Sequence, residues 1–158
     1  MPKQQSTLTD KQIKSLVLLR VVFGLLFLWA GLNKLLSGFT ASSYLTNSTT
    51  GPFAELFQSM ANNALVDFLV IFGEMAIGLS LILGALVWLS APAGVLMMFL
   101  YYLSVFPPKT GYINEHIIYM LVFVALAVFK SGNYYGLENI IDRILKISGT
   151  AAKENRPV

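Results

Sequence analysis

The sequence predicts an all-α integral membrane protein, a four-helix bundle with a short surface helix in its first outer loop and an amphipathic C-terminal helix. Two observations carry this. Of 158 residues 56% are hydrophobic and only 12% charged, with a mean hydropathy of +0.67. A soluble domain carries about 25% charged residues, so this chain has too little polar surface to cover a globule. The apolar residues also gather into stretches that suit four spans of about 20 residues each.

Helix one is expected over Leu16–Leu36, with an apolar centre Val21–Leu32 between Arg20 and Asn33-Lys34. Its apolar stretch is too long for a signal-peptide core and no A-x-A cleavage site follows, so it reads as a retained span. Ser37–Asn63 is a Ser/Thr-rich loop containing Gly51-Pro52. Within it Phe53, Leu56, Phe57 and Met60 fall at helical spacing, which predicts a short amphipathic helix on the membrane surface.

From Phe68 to Phe106 the chain is almost continuously apolar, and Glu74 is its only charge. That run exceeds one span, and Gly84 and Ser90-Ala91-Pro92 offer the break. Helix two is placed at Leu65–Leu83 and helix three at Leu86–Phe106. Pro107–Gly111 forms a turn, and helix four follows over Asn114–Phe129. After Ser131-Gly132-Asn133, residues Leu137–Ile147 have Leu137, Ile140, Ile141, Ile144 and Leu145 on one face, with Glu138, Asp142, Arg143 and Lys146 on the other. Such a helix lies on the surface and is too short to span. The chain thus divides into a cytoplasmic tail (1–15), a transmembrane domain (16–130), a surface helix (131–147) and a disordered cytoplasmic tail (148–158).

Lysine and arginine set the orientation. The tails and their flanks carry Lys3, Lys11, Lys14, Arg20, Lys130, Arg143, Lys146, Lys153 and Arg156, whereas the loops after helices one and three carry only Lys34 and Lys109. The protein is therefore expected as a multi-pass protein of the cell membrane with both termini cytoplasmic. Asn47-Ser48-Thr49 fits an N-glycosylation acceptor and would lie outside, although such triplets also arise by chance.

Several function classes are excluded. The net charge is +3, but no basic run interleaves with aromatics, so nucleic acid is not an expected partner. The absence of cysteine excludes a disulfide framework, iron–sulfur ligation, cysteine-centred zinc and a dithiol redox motif. No metal site is expected. The single histidine, His116, cannot supply both axial ligands of a haem within one chain, although it could supply one.

Ionisable residues inside the membrane are the candidate site. Arg20, in the first cytoplasmic turn of helix one, leans toward the cytoplasm and can snorkel. Lys34 leans back into the membrane from the outer end of the same helix. Helix two runs the opposite way, so Glu74 leans toward Lys34 from about 13 Å below the outer surface. A lone carboxylate there would be neutral or paired. Asp67, seven residues earlier on the same face, competes for Lys34. Glu115 and His116 open helix four at the same level, beside Asn114, where His116 is either an interfacial polar residue or a proton-handling group. For Glu74, quinone or proton chemistry and a purely structural ion pair both stand. Gly24 and Gly31 on helix one, and Gly73, Gly78 and Gly84 on helix two, read as close-packing positions. Trp29, Trp88, Tyr101, Tyr102 and Tyr119 read as belt or core aromatics.

The arrangement resembles the DoxX-like family of small four-helix membrane proteins, and within it the DoxD-like members. The residues that carry the resemblance are Arg20-Val-Val-Phe-Gly24 and Ala30-Gly31-Leu-Asn33-Lys34 on helix one, and Glu74-Met-Ala-Ile-Gly78 and Leu81-Ile-Leu-Gly84 on helix two. Asn114-Glu115-His116 and the exit from Ser131 to Glu138 extend it, with Glu138 where many members have aspartate. The resemblance implies a four-helix fold. It also implies the membrane subunit of a thiosulfate:quinone oxidoreductase, with quinone as electron acceptor and a DoxA-like second subunit as partner. Glu74 and His116 would then be catalytic, with Arg20, Lys34, Asp67 and Glu115 binding substrate or quinone. Other relatives act in redox-stress assemblies or as assembly factors, so a non-enzymatic assembly or interaction protein is the alternative, and a homo-oligomer suits either. A small transporter is disfavoured, because no inverted repeat and no helix broken at its middle is visible.

Overall fold

The computed structural model describes residues 8–109, 111–141 and 144. Among them every regular element is helical: α1 (Asp10–Leu36), α2 (Ser42–Asn47), α3 (Ala54–Gln58), α4 (Ala64–Leu83), α5 (Val87–Ser104) and α6 (Glu115–Val128), with 3-10 turns at Gly51–Phe53 and Ser131–Asn133. The four long helices fall where hydropathy places them. α1 is the exception at one end, since it begins at Asp10 rather than Leu16. A capping box explains the extension: Gln12 N donates to Thr9 Oγ1 at 3.4 Å, and Thr9 N donates to Gln12 Oε1 at 2.8 Å. Asp10 and Lys14 pair at 2.7 Å one turn apart and support the same polar turns.

The loop after α1 is more structured than its Ser/Thr content suggests. The expected surface helix is α3, led in by the 3-10 turn at Gly51-Pro52-Phe53. Phe57, however, does not face a membrane surface. It is buried with Ala41 and Leu45 against Val66 and Leu103, forming a small second core that closes the Lys34 end of the bundle. α2 was not foreseeable from apolar spacing, because its sequence is Ser-Ser-Tyr-Leu-Thr-Asn. Tertiary hydrogen bonds hold it instead. Ala41 N donates to Asp67 Oδ1 at 2.6 Å, Tyr44 Oη and Ser104 Oγ lie 2.8 Å apart, and Thr50 N donates to Ser104 O at 3.0 Å.

α1, α4 and α5 are long and apolar enough to cross a membrane. α6 is equally apolar but has 14 residues, about 21 Å of helix, short of a hydrocarbon core of about 30 Å. Leucines on all four helices remain exposed, Leu18, Leu69, Leu96 and Leu121 among them. In water this would be a liability. In a bilayer it is the required lipid-facing surface, and the chain is a membrane protein.

The helices pair closely as α1 with α4 and α5 with α6, while the consecutive helices α4 and α5 touch much less. Glycine makes the first pairing possible. A Cβ on Gly24 would stand 2.9 Å from the Gly78 carbonyl oxygen, so neither helix tolerates a side chain at that crossing. Where the two pairs meet, Phe23, Phe27 and Phe123 interlock edge to face with centroids 4.9–5.1 Å apart.

After α6 the chain turns back across the Arg20 end. Leu137 N donates to Leu83 O at 3.2 Å and Glu138 N to Gly84 O at 2.9 Å, so this segment seals the α4–α5 turn. Residues 138–141 and 144 are helical. The rest of the expected C-terminal surface helix, and the tail 148–158, lie outside the described residues.

Candidate functional site

The site begins with helix polarity. α1 and α4 run antiparallel, so side chains tilted toward each N-terminus approach one another from Lys34 and Glu74. Lys34 Nζ donates to Glu74 Oε2 at 2.6 Å. The pair is lopsided in exposure, with the Glu74 side chain 4% exposed and that of Lys34 25%. The second carboxylate oxygen is also engaged, since Tyr101 on α5 donates its hydroxyl to Glu74 Oε1 at 3.1 Å. Three helices therefore meet at one buried carboxylate.

His116 stands beside this triad. Its ring meets that of Tyr101 edge to face, centroids 6.1 Å apart at 89°. Nδ1 is buried and has no hydrogen-bond partner among the described residues. Glu115 Oε1 is 3.9 Å from it, an ion-pair distance rather than a hydrogen bond. Asn114 fixes the helix start by accepting from His116 N at 3.2 Å and Ile117 N at 3.4 Å. Asp67 does not compete for Lys34, because its carboxylate is taken by the Ala41 amide. The structure thus brings Lys34, Glu74, Glu115 and His116 to one end, with Asp67 just outside the group.

A cleft of about 1160 Å³ runs from this polar end down the seam between α4 and α5. Lys34, Tyr101, Asn114, Glu115 and His116 stand at its head. Its walls are apolar, and the small residues Gly73, Ala76 and Ala93 widen it. The weak contact between α4 and α5 is the physical origin of the opening.

Arg20 is elsewhere. It lies 14 residues from Lys34 along α1, about 21 Å at the opposite end of the bundle. It does not snorkel. The residue is 1% exposed, and its guanidinium donates from Nη1 to the carbonyls of Ser131 and, at 3.0 Å, Tyr134, and from Nη2 to Tyr135 O at 3.3 Å. Gly84 leaves the room for it: this residue ends α4 in the left-handed region (φ 60°), and a Cβ there would stand 2.7 Å from Arg20 Nη1. Glu138 is not on an exposed face either. It is buried, and Oε2 accepts from Val87 N at 3.2 Å, capping α5. Arg20 and Glu138 are anchors for the returning chain, because the turn at 131–135 would otherwise bury carbonyls without donors.

Tyr101 was missed by sequence reasoning, which grouped it with belt aromatics. The available signal was its position about one turn from the end of helix three, level with Lys34 and Glu74. Among the described residues no three of histidine, aspartate and glutamate are grouped to hold a metal ion.

Comparison with known proteins gives one match. The DoxX family model matches residues 15–107, more than half of the chain. That range holds Arg20, Lys34, Asp67, Glu74 and Tyr101, and it ends before Glu115 and His116. No curated protein and no solved structure matches the chain.

Proposed function

The chain belongs to the DoxX family, and on that premise we propose that it is the membrane subunit of a quinone-linked oxidoreductase of the DoxD-like kind. The observation that supports this best is that Lys34, Tyr101 and His116 line the head of an apolar cleft, with the buried Glu74 carboxylate bonded behind them to Lys34 and Tyr101, and with His116 Nδ1 lacking a hydrogen-bond partner among the described residues. Reduction of a quinone to its quinol takes two electrons and two protons. His116 at the cleft head, and Glu74 behind it through the Tyr101 hydroxyl, are the proton-exchanging groups. The electrons come from oxidation of an external anion, thiosulfate to tetrathionate, at a second, DoxA-like subunit. In this reading the Lys34 end faces outward and both termini are cytoplasmic.

The test is quinone reduction by the purified chain with its second subunit supplied. Glu74→Gln and His116→Ala should each lower the rate by about a hundredfold, the scale of a positioned acid or base. Unchanged rates in both would end this reading. A second reading, a non-enzymatic assembly protein, draws on the same ion pair as a fixer of the α1–α4 register. It expects Glu74→Gln to lower folding yield and partner recovery in proportion, with no catalytic rate to lose.

A further inference from the structure

Two polar ties cross the α4–α5 seam. Tyr101 bonds Glu74 toward the Lys34 end, and Ser80 Oγ donates to Ser90 Oγ at 2.7 Å toward the Arg20 end. Along α4 the ties are six residues apart and along α5 eleven, about 9 and 16 Å of helix. Between them the walls are Ala76 and Ile77 on one side and Ala93, Leu96 and Met97 on the other. Ala76 and Ala93 are exposed, and so are Leu96 and Leu100. The seam is therefore a slot, open sideways to lipid, crossed by two hydrogen bonds and continuous with the polar head at Asn114 and His116.

The head of the slot is balanced in charge. Lys34 is neutralised by Glu74, and Lys109 is matched by Glu115 among the lining residues. An anionic phospholipid headgroup gains nothing there. The groups that remain are uncharged: the Asn114 side-chain NH2 and the Tyr101–His116 ring pair, whose Nδ1 has no hydrogen-bond partner among the described residues. They suit a flat, neutral ring bearing carbonyl or hydroxyl oxygens. The small side chains of Ala76 and Ala93 leave room on both walls for a methyl-branched chain.

We infer that the α4–α5 slot seats the isoprenoid tail of a membrane quinone, whose ring lies at Tyr101 and His116 and which arrives sideways from the bilayer. This rests on the quinone reading above and adds the tail subsite and the route. Ala76 and Ala93 are its specificity-determining positions. Both face out of the helix pairs, so leucine at either fills the slot without entering a core.

The experiment measures binding of a labelled long-tailed quinone, and of the same ring without a tail, to the full chain in phospholipid nanodiscs. Parent, Ala76→Leu, Ala93→Leu and the double variant are compared, with thermal midpoints as a check on folding. The slot predicts about a tenfold loss for the long-tailed quinone in each single variant, equivalent to 1.4 kcal/mol, and unchanged binding of the tailless ring. Parent-like binding of the long-tailed quinone in the double variant overturns it. So does native mass spectrometry showing that the variants lose a bound phospholipid while quinone binding is unchanged. Tail-dependent binding without quinone reduction, when the second subunit is present, would leave the slot standing and remove the redox reading. Reduction that ignores both leucines would do the reverse.

Discussion

The Tyr101 hydroxyl donates to Glu74 Oε1 at 3.1 Å across the α4–α5 seam, while Lys34 holds Oε2 at 2.6 Å. One carboxylate therefore joins the α1–α4 pair to the α5–α6 pair. Its surroundings give expected outcomes for substitution.

Lys34→Met should destabilise the protein by about 3–5 kcal/mol, because it leaves a buried carboxylate without its cation. Adding Glu74→Gln to it should recover most of that loss, since the amide oxygen still accepts from Tyr101 and no charge is stranded. Thermal or denaturant unfolding in mild detergent, run as a double-mutant cycle, reads the coupling. Additive losses would show that the pair does not act as a unit.

Tyr101→Phe keeps the ring against His116 and deletes one hydrogen bond to a charged group. A cost of about 1.5–3 kcal/mol is expected. In the quinone assay the same variant should lower kcat, because it removes the hydroxyl that links Glu74 to the cleft.

Arg20→Met should cost more than Arg20→Lys, because a lysine retains charge and a donor for some of the Ser131, Tyr134 and Tyr135 carbonyls. The expected loss for methionine is about 3 kcal/mol or more. Protease cleavage near Tyr134 and Tyr135 should rise with it, since that segment is tied to the bundle through this side chain. Glu138→Gln, which keeps an oxygen for the Val87 amide, should be milder than Glu138→Ala.

Gly78→Leu should be the most damaging of the glycine changes in α4. Its side chain would enter the backbone of α1 at Leu28, where no rotamer avoids the clash. Yield of folded protein after detergent extraction is the measurement, with Gly38→Ala, which meets no neighbouring atom but has positive φ, as a mild comparison.

The chain has no cysteine, so any introduced one is the sole label site. A membrane-impermeant maleimide applied to intact cells should modify Lys109→Cys and Asn47→Cys but not Lys3→Cys. The opposite pattern would invert the orientation drawn from lysine and arginine.

The sequence by itself determined the helical class, the limits of α4, α5 and α6 to within two residues, and the Lys34–Glu74 contact. Each follows from local physics: apolar runs bounded by breakers, caps such as Asn63 and Asn114, and the tilt of side chains on antiparallel neighbours. Tertiary structure alone decided the rest. Arg20 and Glu138 look like surface charges until the chain after α6 folds back and surrounds them. Tyr101 looks like a belt aromatic until α5 is rotated so that its hydroxyl meets Glu74. The slot exists because α4 touches α5 less than α1, and no pattern within either helix states which neighbour it will favour. Rotation and partner choice depend on side chains distant in sequence, Gly24 against Gly78 and Gly94 against Phe123, and those meetings left the cleft and its polar head where they are.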